Sequence, residues 1–324
     1  MAHSDQKMTQ RMGFVLTPNF ALMSYASAIE PLRAANLISG LQLYDVVTLS
    51  SGGHQVRSSS GLMVECRSLA EEGQDFHTVF VCAGGVASDW VDSDGLYGAL
   101  RKLSRQGVRI GGISSGAYVL AAAGLIENRD FTIHWEHATL LKEAFPNLSP
   151  RHARYVIDGD RITCGGGVAP LDMMHATISE RMGSHFARRV SDWYLHTVVS
   201  EPTASQRGSA AERFSTHHPA LLTVLEKMED TIEQPLSRTA LAQLVGISTR
   251  HLDRLFTSET GISFLETYRS IRLRHAQRLL EQSPLSISEI AFATGFSSAS
   301  HFSRALKSLT GKSPGNFRLK FPHD

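Results

Sequence analysis

Apolar and polar positions follow two different periods along the chain, and the change falls near residue 200. Before it, short apolar runs alternate with stretches of 3.6-residue periodicity. Gly13-Phe14-Val15-Leu16, Val46-Val47-Thr48-Leu49, Thr78-Val79-Phe80-Val81-Cys82 and Val108–Ile113 read as strands. Leu22–Leu37, Leu96–Gln106, Ala117–Ala123 and Leu171–Met182 read as helices. Continuous apolar strands alternating with helices predict an α/β domain: an open, mostly parallel sheet covered by helices.

After residue 216 the strand signal disappears. Pro219–Thr231, Thr239–Val245, Thr249–Thr260, Phe264–Leu280, Ile287–Thr294 and Ser298–Leu309 all show helical periodicity. Ser248, Ser263, Ser286 and either Ser297 or Ser298 are placed as N-caps. The segment 201–216 is small and polar and reads as a linker. The expected organisation is an α/β domain over 11–200, a linker over 201–216 and an all-α domain over 217–321.

The helical part contains one unit twice. Leu241-Ala242-Gln243-Leu244-Val245-Gly246-Ile247-Ser248 precedes the helix Thr249–Phe256. Ile290-Ala291-Phe292-Ala293-Thr294-Gly295-Phe296-Ser297 precedes Ser298–Leu306. Each glycine permits the left-handed residue that ends a helix sharply. Each alanine lets a second helix cross closely, and Ile247 and Phe296 plug the corner. These are two helix-turn-helix units. With Leu252, Leu255, Phe256, Phe302 and Leu306 turned inward, Thr249, Arg250, Asp253 and Arg254 form one outer face. Ser298, Ser300, Ser303, Arg304 and Lys307 form the other. Short polar groups and arginines are the residue types that reach base edges and phosphates of double-stranded DNA. The intervening Phe264–Leu280 spans roughly 26 Å at about 1.5 Å per residue, against about 34 Å between successive major-groove faces. Its Arg269, Arg272, Arg274 and Arg278 are candidate phosphate contacts.

Charge strengthens this reading. The whole chain carries only +1. Residues 236–320 hold 12 Lys/Arg against 5 Asp/Glu, a net of +7, and residues 1–235 carry −5. A basic module on an acidic body suits a polyanion partner. Hydrophobic residues at 42% and charged residues at 19% are a globular composition. The polar first residues and the lack of an apolar run of about 20 predict a cytoplasmic protein that does not enter a membrane. Cys66, Cys82 and Cys164 form no close cluster, and no metal or cofactor signature is present. Cys82 and Cys164 are expected in the core.

One motif remains. Gly112-Ile113-Ser114-Ser115-Gly116 joins a strand to a helix and matches G-x-S-x-G. As a nucleophile elbow, it would make Ser114 the attacking group, with His134 or His137 as base and Glu136 or Asp172 as orienting acid. As a sensor, it would bind a small molecule at the carboxyl end of the sheet. In a third reading the α/β domain only dimerises. Gly165-Gly166-Gly167 reads as a turn before a helix.

Residues 219–320 resemble the DNA-binding domain of the AraC/XylS family. The likeness is carried by Ser286–Phe296, Ser300-His301-Phe302-Ser303-Arg304, Thr310–Pro314 and, in the first unit, Ile247–Phe256. Residues 11–195 resemble the PfpI-like, class I glutamine amidotransferase-like domain. That second resemblance implies an acidic residue from the first helix, matched by Glu30, and a histidine after the elbow helix, matched by His134. It also implies a cysteine where this chain has Ser114. Serine lacks the low pKa that supplies a thiolate, so no enzyme activity is expected. The two domains together have the layout of the GlxA-type regulators. That layout implies a homodimer, RNA polymerase as a further partner, and a small nitrogenous effector, an amino acid or quaternary amine. The expected effector pocket comprises Glu30, Gly84, Gly85, Ser114, Ser115, His134 and Trp135. Trp90 and Trp135 are either a cation–π wall or core aromatics.

Overall fold

Each apolar run of the N-terminal part becomes a strand in the computed structural model, which describes residues 8–73, 75–91, 95–283 and 285–318. The strands are β1 (Gln10–Leu16), β2 (Tyr44–Ser50), β3 (Val56–Arg57), β4 (Met63–Val64), β5 (Arg67–Ser68), β6 (Thr78–Ala83), β7 (Arg109–Ser114), β8 (Tyr155–Asp158) and β9 (Arg161–Cys164). Seven form one sheet in the order β5-β2-β1-β6-β7-β9-β8. Neighbours are parallel except at the edge, where β8 runs antiparallel to β9. β3 and β4 pair separately.

Helices α1 (Leu22–Ser39), α2 (Leu96–Arg105), α3 (Gly116–Ala122), α4 (Ala138–Ala144), α5 (Ala169–Met182) and α6 (Ser184–Trp193) cover the sheet. Side chains of one strand alternate between two cores because successive Cβ atoms point to opposite faces. Phe14, Leu16, Phe80 and Cys82 pack with α1, α5 and α6, and the Phe14 and Phe80 rings stack 5.3 Å apart. Val15, Val79, Val81 and Ala83 pack with α2, α3 and α4. From β1 the chain first moves to β2 and then returns to β6 and β7 on the other side. The crevice of a doubly wound sheet therefore opens beyond the carboxyl ends of β1 and β6, beside the end of β7.

The second unit begins at Arg207. Its helices are α7 (Ala210–Phe214), α8 (Pro219–Asp230), α9 (Arg238–Leu244), α10 (Thr249–Thr260), α11 (Phe264–Gln282), α12 (Ile287–Ala293), α13 (Ala299–Thr310) and α14 (Pro314–Arg318). The side chains of Ser237, Ser248, Ser263, Ser286 and Ser298 cap their helices. Of the two serines considered for the last cap, Ser298 makes it. α11 carries two cores in sequence. Phe264, Tyr268 and Ile271 join Leu241, Leu252 and Phe256, while Leu273, Ala276 and Leu280 join Ile290, Phe296, Phe302 and Leu306.

The boundary between the units falls inside segment 201–216, which is more ordered than a spacer. The Pro202 carbonyl accepts from the backbone N–H groups of Arg154 (2.8 Å) and Tyr155 (3.3 Å). α7 opens with a capping box between Ser209 and Glu212, and Arg207 and Arg213 both pair with Glu229 of α8. Residues 319–321, at the expected end of the second domain, lie outside the described residues. No helix among the described residues is long and apolar enough to cross a membrane.

Candidate nucleic-acid interface and elbow site

The tandem helix-turn-helix units are built by short helices that repeat along the chain. Ser237 and Ser286 start the first helix of each unit, and Gly246 and Gly295 end it, both at positive φ (+68° and +72°). After the glycine the interval grows by one residue. The caps Ser248 and Ser298, the core residues Leu252 and Phe302, and the terminal Gly261 and Gly311 are each 50 apart in sequence. The second turn therefore holds one extra residue, Ser297. The repeat aligns Arg254 with Arg304 and His251 with His301.

Arg250, Arg254, Ser298, Ser300, Arg304 and Lys307 are exposed, and Thr249, Asp253 and Ser303 are half-buried. Not all are equally available. Asp253 accepts from Arg238 at 2.8 Å, and the Ser298 hydroxyl is committed to capping, accepting from the His301 N–H at 3.2 Å. His301 was missed from the sequence. It is exposed on the first turn of α13, and the matching histidine at the 50-residue interval is the signal that finds it.

One expected phosphate contact needs correction. Arg272 is half-buried, its Nε donates to the Thr294 carbonyl at 2.7 Å and its guanidinium lies 4.3 Å from the Phe296 ring centre. Burial holds its pKa below the usual arginine value. Arg272 therefore closes the end of α12 and stacks on the corner plug. Arg269 and Arg274 are exposed, as phosphate contacts must be.

At the elbow, Ser114 ends β7 with φ +59°, a left-handed conformation unusual for a residue with a side chain. A Cβ on Gly116 would collide with the Val81 carbonyl, so glycine there lets α3 start against the sheet. Ser114 is 6% exposed and Ser115 fully buried, with a Ser115 hydroxyl that has no hydrogen-bond partner among the described residues. The Ser114 carbonyl accepts from the His134 N–H at 3.3 Å, and Gly166 lies against the Ser114 side chain. Gly84 backs onto Asn19–Ala21, and Gly85 adopts φ +68° beside Asp89. The Cys164 thiol is fully buried next to this backbone, and burial pushes it up to about 12. It is a neutral core group, and Cys82 is likewise buried and raised.

The histidines and acids do not assemble into a relay. His134 Nδ1 accepts from the Glu136 N–H at 3.4 Å, and burial lowers its pKa. His137 is buried against Trp90, with ring centres 5.1 Å apart, and is pushed down to about 4, chiefly by burial. Asp172 is spent elsewhere: it pairs with Arg154 and accepts from His196 Nε2 (2.7 Å) and the Ser200 N–H (2.9 Å). Trp90 is a core residue, 1% exposed, and its indole donates to the Gly84 carbonyl. Trp135 is half-buried.

Glu30 is also not brought to the elbow. Its carboxylate is held by Arg33 at 2.6 Å and by Tyr194, which lowers its pKa. The α1 residue that approaches is Ser24, whose hydroxyl accepts from the Gly167 N–H at 2.8 Å. A second unexpected participant is Gln206. Its Oε1 accepts from the Trp135 N–H at 2.9 Å. Its Nε2 donates to Thr132 Oγ1 (3.0 Å) and to the carbonyls of Ile133 (2.9 Å) and Ala153 (2.7 Å). Nothing in a polar linker sequence marks one glutamine for this role.

Known proteins share both halves. Residues 10–180 match the DJ-1/PfpI family, and residues 241–320 match a helix-turn-helix domain. The chain is 68% identical to the HTH-type transcriptional regulator GlxA of Rhizobium meliloti (strain 1021), over 98% of each chain. It is 35% identical to the HTH-type transcriptional regulator GbdR of Pseudomonas aeruginosa, over 97% of this chain and 85% of that one. An AraC family transcriptional regulator from Pseudomonas putida has a similar fold, with 24% identity and a TM-score of 0.53 over 57% of this chain and 99% of that one. A DJ-1/PfpI-type α/β unit followed by a tandem helix-turn-helix reader defines a DNA-binding transcriptional regulator of the AraC type. The chain belongs to the GlxA-type branch of these regulators.

Proposed function

We propose that the protein is a sequence-specific regulator controlled by a small nitrogenous metabolite, an amino acid or quaternary amine, bound at the Ser114 elbow. The observation that carries this reading is the elbow itself. A strained, buried serine sits beside the switch point of the sheet, where such folds hold ligands. Ser114, Ser115, Gly84, Gly85, His134 and Trp135 are the residues placed around the ligand, with Ser24 in the position first given to Glu30. The reading includes a homodimer in the cytoplasm that acts on RNA polymerase and sets α10 and α13 into neighbouring major-groove segments. Thr249, Arg250, Asp253, Arg254, Ser300, Ser303, Arg304 and Lys307 face the bases, while Arg269 and Arg274 face phosphates. The test is a thermal-stability screen of the full chain against amino acids and quaternary amines, followed by operator binding with each hit. A ligand that binds only the folded state raises its stability. A screen without hits, or hits that leave operator affinity unchanged, would reject effector control.

The positive φ of Ser114 also favours a second reading, because hydrolase elbows hold their nucleophile in this conformation. Against it stand His134, whose Nδ1 is taken up by the Glu136 N–H, and the diversion of Asp172. Ester or amide turnover that vanishes in Ser114→Ala would establish it.

A further inference from the structure

The carboxamide of Gln206 is bound as a ligand is bound. A primary amide offers one strong acceptor and two N–H donors. Here the acceptor meets the Trp135 N–H, and the donors face three oxygens, those of Thr132, Ile133 and Ala153. The Thr132 hydroxyl accepts from Gln206 Nε2 and donates to the backbone carbonyls of Arg151 and Ala153. A Cβ on Gly165 would collide with the carboxamide, so this residue makes room for it. The pattern discriminates by charge and shape. A carboxylate would bring a second acceptor against three acceptors, and an alkylated amide would lose the donors.

The cradle and the elbow share two short pieces of backbone. The His134 N–H holds the Ser114 carbonyl and the next N–H, that of Trp135, holds Gln206. Gly166 lies against Ser114 and Gly165 against Gln206. On the other side of the amide, Gln206 is the last residue of the α/β unit. Its neighbour Arg207 pairs with Glu229 in the second unit. One peptide bond thus separates a group anchored at the elbow from a group anchored in the DNA reader.

We infer that Thr132, Ile133, Trp135 and Ala153 form a primary-carboxamide site, filled in the resting chain by Gln206 as a tethered ligand. A free small molecule with a primary carboxamide or ureido group competes for it and releases the segment 201–206. A tethered group acts at an effective concentration in the millimolar range, so the site rejects weak free amides until the tether is altered. The inference extends the effector reading to a second, adjoining site and does not depend on which metabolite binds at Ser114.

The experiment uses the full chain and its Gln206→Ala and Gln206→Glu variants, with acetamide and propionamide as probes and acetate and N,N-dimethylacetamide as controls. Gln206 is half-buried, and both variants are expected to keep native circular dichroism. Gln206→Ala should gain about 2 °C in thermal midpoint with saturating acetamide or propionamide and none with the controls. The native chain should not respond to the same probes. Trypsin cleavage after Arg207 should accelerate severalfold in both variants, and acetamide, which fills the cradle without restoring the tether, should leave that faster rate unchanged in Gln206→Ala. Folded Gln206→Ala that gains nothing from either amide, or responds equally to the controls, overturns the site. Cleavage at the native rate in both variants overturns the tether. Neither failure touches the effector reading, whose screen is run on the native chain.

Discussion

A serine held at φ +59° carries a conformational cost of about 1–2 kcal/mol that glycine avoids. Ser114→Gly should therefore unfold at higher denaturant than Ser114→Ala, by about 1 kcal/mol, while both abolish any function of the hydroxyl. Equal midpoints would show that the elbow stores no strain. Arginines divide in the same residue-by-residue way. Arg254→Ala and Arg304→Ala should each weaken operator binding by about 1–3 kcal/mol without lowering stability. Arg272→Ala should lower stability by about 1–3 kcal/mol, because it leaves the Thr294 carbonyl unpaired and uncovers Phe296. Titration of a labelled operator, beside denaturant unfolding, separates the two classes. This division was not legible in the sequence, because Arg269, Arg272 and Arg274 lie on one helix and differ only in the direction each faces. Glu30 misled for a related reason: it is acidic and on the right helix, yet six residues from the point where Ser24 meets Gly167.

At the scale of elements the sequence was more informative. Strands with continuous apolar runs and helices with capped, periodic faces announce themselves, and α10 has the bounds its pattern predicts. Short edge strands such as β8 and short helices such as α4 and α7 lack a period long enough to stand out, whereas α6 is as long as α2 and was missed despite its amphipathic pattern. The one-residue offset between the units was hidden because Ser297 and Ser298 are equally good caps. Packing distinguishes the two turn glycines as sequence does not. A Cβ on Gly246 meets open space, whereas one on Gly295 would sit 2.6 Å from the Pro235 ring and 2.7 Å from the Ile232 carbonyl. Gly246→Ala should cost about 1 kcal/mol for its backbone conformation alone. Gly295→Ala should cost clearly more, as read by the thermal midpoint of the intact chain.

At the scale of the molecule, each unit buries a histidine. His137 in the first and His275 in the second are both pushed down to about 4, chiefly by burial, and Arg278 donates to His275 Nδ1. A histidine whose folded pKa lies below its unfolded value of about 6.5 takes up protons on unfolding. Stability is therefore full above pH 6.5 and declines as pH falls toward 4, beyond which these groups add no further loss. His275→Gln should flatten that decline in the second unit and leave the first unit's decline in place, as followed by unfolding at a series of pH values.

The clamp at Asp172 has a consequence for dissecting the molecule. This carboxylate is fully buried, and two of its three partners, His196 and Ser200, lie beyond the last helix of the α/β unit. Family matching ends at residue 180, and helix α6 ends at Trp193. A fragment cut at either place would keep the whole sheet yet leave the buried Asp172 with Arg154 and without His196 and Ser200. One ending at Gln206 should fold as an independent α/β unit, and one ending at Trp193 should be weaker by about 2 kcal/mol or more. The segment that looks like spacer in the sequence is thus the last piece of the α/β unit's interior.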